Sequence, residues 1–541
     1  MEIRILYILI IYLFFYCSIN SFIIHNPVIW SDVPDIEILR VDDTYYMIST
    51  TNFFNPGAPI MKSKDLASWT ICNYVYDILG NEPMHNLQDN QHDYSHGQWA
   101  ASLRYKSGYF YVFFASLGIN KSFIYKTKDI ENGAWEKITL NGIYHDASLL
   151  FDDDGRNYLV FGGNGEIKIK EFNSEMTDFI HDREEKLLFK TGLSGLSGEG
   201  SHILKINGYY YIFVISWPEG SVRIELCYRS RMLMGQYEGK TILNSGVGTY
   251  SPGAAQGAII DTPDGKWYGY IFQDHGSLGR VPVITPMTWI DDWPIMGVEG
   301  KVPVAIELEG IFTGNSLAKN DDFDYEENKL KLEWQWNHNP DNDSWSVIQR
   351  KGFLRLMNNN MATHLLNARN TLTMRTEGPA CAGYIKMDVS NMKIGDKAGI
   401  SAFQYNYGEV GVRIDENGEK KIFMARNGGY KGNGNVVDSI DSIVEEVELS
   451  ENIIYVKLDF IFNTIDENYN SSDNIDKVNF FYSLDGNDWI KIGDEIKMTY
   501  DLQLFTGYRF GIFSYPTKEV GGYVDIDTFI YERTIKWNMA D

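Results

Sequence analysis

Cysteine is scarce in this chain, with four residues among 541. No long run of lysine or arginine interrupts an acidic background of 73 Asp and Glu against 48 Lys and Arg. The formal net charge of −25 excludes a partner held by a strongly basic surface, whether nucleic acid or an anionic membrane, and suits a neutral substrate. Ala-rich helical stretches are also missing. What is present instead is 14% aromatic residues with 49 Gly, a mixture that favours strands joined by tight turns.

The N-terminus carries the one apolar run of note, Ile5 to Cys17, after Arg4. A short basic element before an apolar segment too short for a bilayer reads as a secretory signal. Residues 1–20 are therefore expected to be a signal peptide, and the mature protein to be secreted with no membrane partner. An uncleaved anchor or a buried strand is the competing reading. Removal of this segment leaves Cys72, Cys227 and Cys381, too few for a disulfide framework, which a large β-protein does not need. The sequons at Asn120, Asn342 and Asn470 are compatible with secretion.

A chain of this length is expected to fold as two domains. Its first half repeats one pattern five times: a strand, a tight turn and an aromatic-rich strand. The turns fall at Thr44, Gly108, Gly155, Gly208 and Gly265, spaced by 47 to 64 residues. Asn-Gly and Asp-Gly between β-formers are strong hairpin signals. Each interval holds about four short strands, the size of a propeller blade. A five-bladed β-propeller over residues 21–315 follows.

Nine residues before each turn stand Asp35, Trp99, Asp146, Glu199 and Gln256. Equivalent positions of radially repeated units converge on one axis, so these side chains are expected to ring one end of the central channel. A single Asp at a strand end commonly serves only to accept backbone hydrogen bonds. Three acids at equivalent positions argue for chemistry. One protonated and one ionised carboxyl can cleave a glycosidic bond, while a third tunes the first by like-charge repulsion. Trp99 offers a flat face for a sugar ring and Gln256 a neutral hydrogen-bonding group. Holding a divalent cation is the main competing use.

The motifs around these residues resemble glycoside hydrolase family 43, the β-xylosidases and α-L-arabinofuranosidases. Asn26-Pro-Val-Ile-Trp-Ser-Asp-Val-Pro-Asp35 resembles the opening motif, which implies that Asp35 is the general base. His145-Asp146-Ala-Ser-Leu-Leu-Phe-Asp-Asp-Asp-Gly resembles the motif of the pKa-modulating Asp. Glu199-Gly-Ser-His-Ile-Leu-Lys-Ile-Asn-Gly resembles that of the general acid. The resemblance also implies that Arg280 reaches the substrate and that His275 lies near the channel centre, sometimes beside a calcium ion. No cofactor is otherwise required. His96-Gly-Gln-Trp99-Ala supports Trp99 at a sugar subsite. Two residues depart from the pattern: Ile36 stands where relatives usually have Pro, and Glu37 where Ser or Asp is commoner.

The charged, Asn-rich stretch 316–330 reads as a linker. Beyond it, Leu332–Asn337, Phe353–Met357, Ala398–Tyr405 and Phe480–Trp489 show short alternating strands. Residues 331–541 are expected to form a β-sandwich of concanavalin-like topology. This half resembles the C-terminal domain of family 43 xylosidases, including Phe505-Thr-Gly-Tyr-Arg-Phe-Gly511.

The leading functional expectation is an inverting exo-glycosidase that takes terminal β-D-xylose from xylo-oligosaccharides. Removal of α-L-arabinofuranose from arabinoxylan or arabinan is the alternative within the family. A non-catalytic carbohydrate-binding propeller and a retaining fructan hydrolase are the alternatives outside it.

Overall fold

The structure is a computed structural model that describes residues 21–247, 253–314, 316–430, 439–462 and 475–533. The expected signal segment, with Cys17, and the sequon at Asn470 lie outside these residues.

Five four-stranded antiparallel sheets form the propeller. Their innermost strands are Glu37–Val41, Ser102–Lys106, Ser148–Phe151, Leu196–Ile206 and Ala254–Asp261. Each recurrent turn joins such a strand to the next one outward. The turns differ in length. Val41 pairs with Thr44, Lys106 with Tyr109 and Ile206 with Tyr209, which leaves two-residue loops. Asp42, Ser107 and Asn207 start those loops with φ near 50°, the left-handed geometry that matches strand twist. In the third and fifth blades Phe151 pairs with Asn157 and Asp261 with Trp267 across longer loops.

The outer-strand signature Ser63-Lys-Asp-Leu-Ala-Ser-Trp69 has a local cause. Asp65 accepts the backbone N–H groups of Ala67 and Ser68 and the Ser68 hydroxyl, which folds the turn. The fully buried Trp69 then donates Nε1–H to Leu66 O. The ends of the propeller half meet where Ser21–His25 pairs with Ala305–Glu309.

The second half is a sandwich of two eight-stranded sheets. One of them includes a piece of the propeller. Phe54–Asn55, from the first blade, pairs with Gln335–Asn337 at the edge of that sheet. Asn55 and Asn339 also share a side-chain hydrogen bond of 3.0 Å. The stretch read as a linker is packed rather than free. Leu317 is buried in a propeller core, and Phe323 is buried in the sandwich core against Trp334. Buried Asp321 exchanges backbone hydrogen bonds with Phe529 and accepts the Trp334 indole N–H at 2.7 Å. Its low apolar content hid how completely its few apolar residues are used. Among the described residues no helix is long and apolar enough to cross a membrane.

Candidate active site

The backbone turns sharply where the sequence placed the ring of side chains. Asp35, Asp146 and Gln256 all adopt positive φ, at 52°, 44° and 65°. In the fourth blade the left-handed residue is Gly200 (φ 67°), one residue after Glu199, and the pairing slips on both sides of Glu199. Such a bulge re-aims a side chain at the end of a strand. Non-Gly residues at positive φ carry strain that the surrounding fold must hold.

The three acids occupy distinct surroundings. Asp35 is almost fully buried and its Oδ1 accepts a 2.6 Å hydrogen bond from Arg280 Nη1. Asp146 is also buried, and its Oδ2 accepts the N–H of Gly200 at 3.0 Å. Glu199 is the most open of the three, with a side chain 27% exposed. His145 joins the last two: its Nε2 lies 3.5 Å from Asp146 Oδ2 and 3.4 Å from Glu199 Oε2. The His145 side chain is 37% exposed.

This arrangement sets the charges. Burial raises the pKa of Asp146 to about 7, opposed by His145 and reinforced by Glu199 and Asp35. Asp146 foremost, then Glu199 and Asp35, raise that of His145 against its burial. A proton is thus retained within this cluster at neutral pH.

The other expected residues separate into two groups. Arg280 and Trp99 meet at Phe505, which the sandwich sends into the propeller mouth. The Trp99 and Phe505 ring centroids are 4.8 Å apart, and the Arg280 guanidinium lies 4.9 Å from the Phe505 centroid. Asp32 fixes this junction by accepting the Arg280 N–H at 2.8 Å and the Gly507 N–H at 3.0 Å. Gln256 and His275 make other contacts. Gln256 is buried, and its side chain packs so closely on Gly200 that a Cβ there would lie 2.8 Å from Gln256 Cγ. It packs against the Glu199 strand.

His275 is fully buried, edge-on to Trp30 with centroids 5.0 Å apart. Calcium requires six to eight oxygen ligands. Among the described residues, the group of acids and histidines whose spacing can hold a metal ion is His145, Asp146 and Glu199, with donor atoms within 4.8 Å of one another. His275 is outside it.

Glu37, one of the two departures from the family pattern, occupies the channel. Its buried carboxylate lies 2.8 Å from Arg104 Nη1 and 3.1 Å from His202 Nδ1. Burial alone would raise its pKa, but Arg104 and His202 hold it below the ordinary value. Arg104 also donates to Ser148 Oγ, Leu149 O and Ile203 O, so one guanidinium touches the innermost strands of the first, third and fourth blades. Glu37 was visible in the sequence only as a departure, Asp32 and His202 stood inside recognised motifs without roles, and Arg104 and the placement of Phe505 carried no signal there. His145 stood inside a recognised motif without a role.

Comparison with known proteins gives the family. Residues 24–294 match the model of glycosyl hydrolases family 43, and residues 320–532 that of the beta xylosidase C-terminal concanavalin A-like domain. The chain is 30% identical to a beta-xylosidase of Formosa agariphila over 571 residues, covering 94% of this chain and 90% of that one. It is 29% identical over 348 residues to a non-reducing end alpha-L-arabinofuranosidase of Bacteroides ovatus, covering 61% and 64%. Among solved structures, a bifunctional GH43-CE protein of Bacteroides eggerthii superposes with a TM-score of 0.87 at 41% identity. That match covers 96% of this chain and 64% of the other.

Proposed function

Because the chain belongs to family 43 of the glycosyl hydrolases, we propose that it is an inverting exo-glycosidase that releases terminal β-D-xylosyl residues from xylo-oligosaccharides. The observation that carries this reading is the unequal setting of the three acids. Asp35, ion-paired with Arg280, is suited to take a proton from the attacking water. Glu199, the most exposed of the three, is suited to protonate the leaving oxygen. Asp146 accepts the N–H of the residue after Glu199 and shares His145 with that acid, which positions it. Trp99 and Arg280 face the sugar, with Phe505 narrowing the mouth to a chain end. The protein acts after secretion, on oligosaccharides from hemicellulose.

Terminal α-L-arabinofuranose is the second reading, favoured by the likeness to the arabinofuranosidase of Bacteroides ovatus. Both readings are tested by release of 4-nitrophenol from the aryl β-D-xyloside and the aryl α-L-arabinofuranoside. The wild type should be faster on the xyloside, and Glu199→Gln should abolish release from both. NMR of the first-formed sugar should show the inverted anomer. Activity on neither glycoside, or full activity in the Glu199→Gln variant, would overturn the assignment.

A further inference from the structure

Glu225 is a buried acid to which the proposed mechanism gives no task. It lies in Ile224–Ser230, the third strand of the fourth blade, and is fully buried. Burial raises its pKa to about 8, opposed by a single hydrogen bond, so the side chain is largely uncharged at neutral pH. That bond runs from the backbone N–H of Gln256 to Glu225 Oε2 at 2.7 Å. Its Oε1 has no hydrogen-bond partner among the described residues. A carboxyl buried with so little compensation is costly, and a hydrocarbon side chain would fill the same space without that cost. What the acid supplies and a hydrocarbon cannot is an acceptor for Gln256.

Gln256 needs that acceptor. In the fifth blade Ala255 pairs with Phe272 and Gly257 with Ile271, so Gln256 is the extra residue of a β-bulge and its N–H leaves the ladder. Its backbone is left-handed, with φ 65°. Its side chain crosses to the inner strand of the fourth blade and lies along Gly200, where a Cβ would meet Gln256 Cγ at 2.8 Å and Cδ at 2.9 Å. Gly200 follows Glu199 and gives its own N–H to Asp146 Oδ2 at 3.0 Å. Contact is thus unbroken from Glu225, through Gln256, to the residue that follows Glu199.

We propose that Glu225 is a positioning residue for the general acid: by holding Gln256 against Gly200, it fixes the direction from which Glu199 meets the leaving oxygen. This rests on the glycosidase reading and adds to it a residue two strands away from the acid on which proton donation depends.

The test uses two substrates that differ in their need for a proton. Xylobiose releases a sugar oxygen that must be protonated, whereas dinitrophenyl β-D-xyloside releases a phenolate that departs unaided. If the wild type cleaves arabinofuranosides instead, the corresponding α-L-arabinofuranosyl pair takes their place. Glu225→Met keeps the bulk and removes the acceptor. In it the ratio of kcat for the disaccharide to kcat for the aryl glycoside should fall about tenfold, with KM for the disaccharide within about twofold of wild type. Glu225→Gln keeps an acceptor and should restore the ratio. Glu225→Asp, which draws the acceptor back by one methylene, should fall between and carries the test if the Met variant does not fold. Gln256→Ala removes the contact on Gly200 and should lower the ratio likewise, and adding Glu225→Met to it should lower it no further. An unchanged ratio, an equal loss on both substrates, or additive losses in the double variant would overturn the positioning role while a wild type active on both compounds upholds the glycosidase reading. A wild type inactive on both pairs overturns that reading and this role with it.

Discussion

His202, three residues beyond Glu199, brings Nδ1 to within 3.1 Å of the carboxylate of Glu37, two residues beyond Asp35. The strands that present the two outermost actors of the proposed reaction are thereby tied to each other across the channel. Arg104 completes the tie from a third strand. Displacement of reacting groups by about 1 Å can cost roughly 10²-fold in rate, so a fixed separation between these strands matters to turnover.

Glu37→Gln keeps the shape of the side chain and removes its charge, leaving the Arg104 guanidinium buried against a neutral group. Loss of one partner from a buried ion pair costs about 3–5 kcal/mol, and urea denaturation at pH 7 should show a loss of that order. In the folded protein the Glu37 pKa lies below its ordinary 4.5. Its stabilisation is therefore complete above that pH and lost as pH falls through the folded value. Wild type and variant should converge in stability on acidification. A constant difference from pH 7 to pH 3 would contradict the ion-pair account.

Asp146 has the opposite sign. Burial raises its folded pKa from 3.8 toward about 7, so the folded state holds a proton that the unfolded state releases. Its contribution to stability is greatest below about pH 4 and declines as pH rises to 7. Asp146→Asn removes this titration. Between pH 4 and pH 7 the stability of the wild type relative to the variant should fall, measured by urea midpoints across that range. Turnover should drop in the variant because a titrating acid is lost from the cluster with His145 and Glu199.

The two domains should unfold together. They share a sheet through Phe54–Asn55 and Gln335–Asn337, and Asp32 holds the loop carrying Phe505. Inter-domain contacts that are large and interlocked remove the independence expected of domains on a free linker. Differential scanning calorimetry should give one cooperative transition, and residues 21–315 expressed alone should lose activity. Two separated transitions would contradict this coupling.

The local parts of this architecture were legible in the sequence because their causes are local. Asn-Gly and Asp-Gly turns announced the hairpins, and the nine-residue offset found the positions at which Asp35, Asp146 and Gln256 bend into left-handed backbone. The offset landed one residue before the bend in the fourth blade, where Gly200 takes the strain and Glu199 is carried on a bulge. Contacts made between blades were not legible. Nothing beside Arg104 in the chain signals Ser148, Ile203 or Glu37, which reach it only through closure of the ring. Phe505 lies hundreds of residues from Trp99 and Arg280, and its place depends on how the second domain docks. The stretch 316–330 was misleading for another reason: composition counts apolar residues, and packing uses Leu317 and Phe323 completely.

Arg104 also ties together blades that are far apart along the chain. Braced against three other inner strands and paired with Glu37, it makes the alignment of separate blades answer to a single side chain.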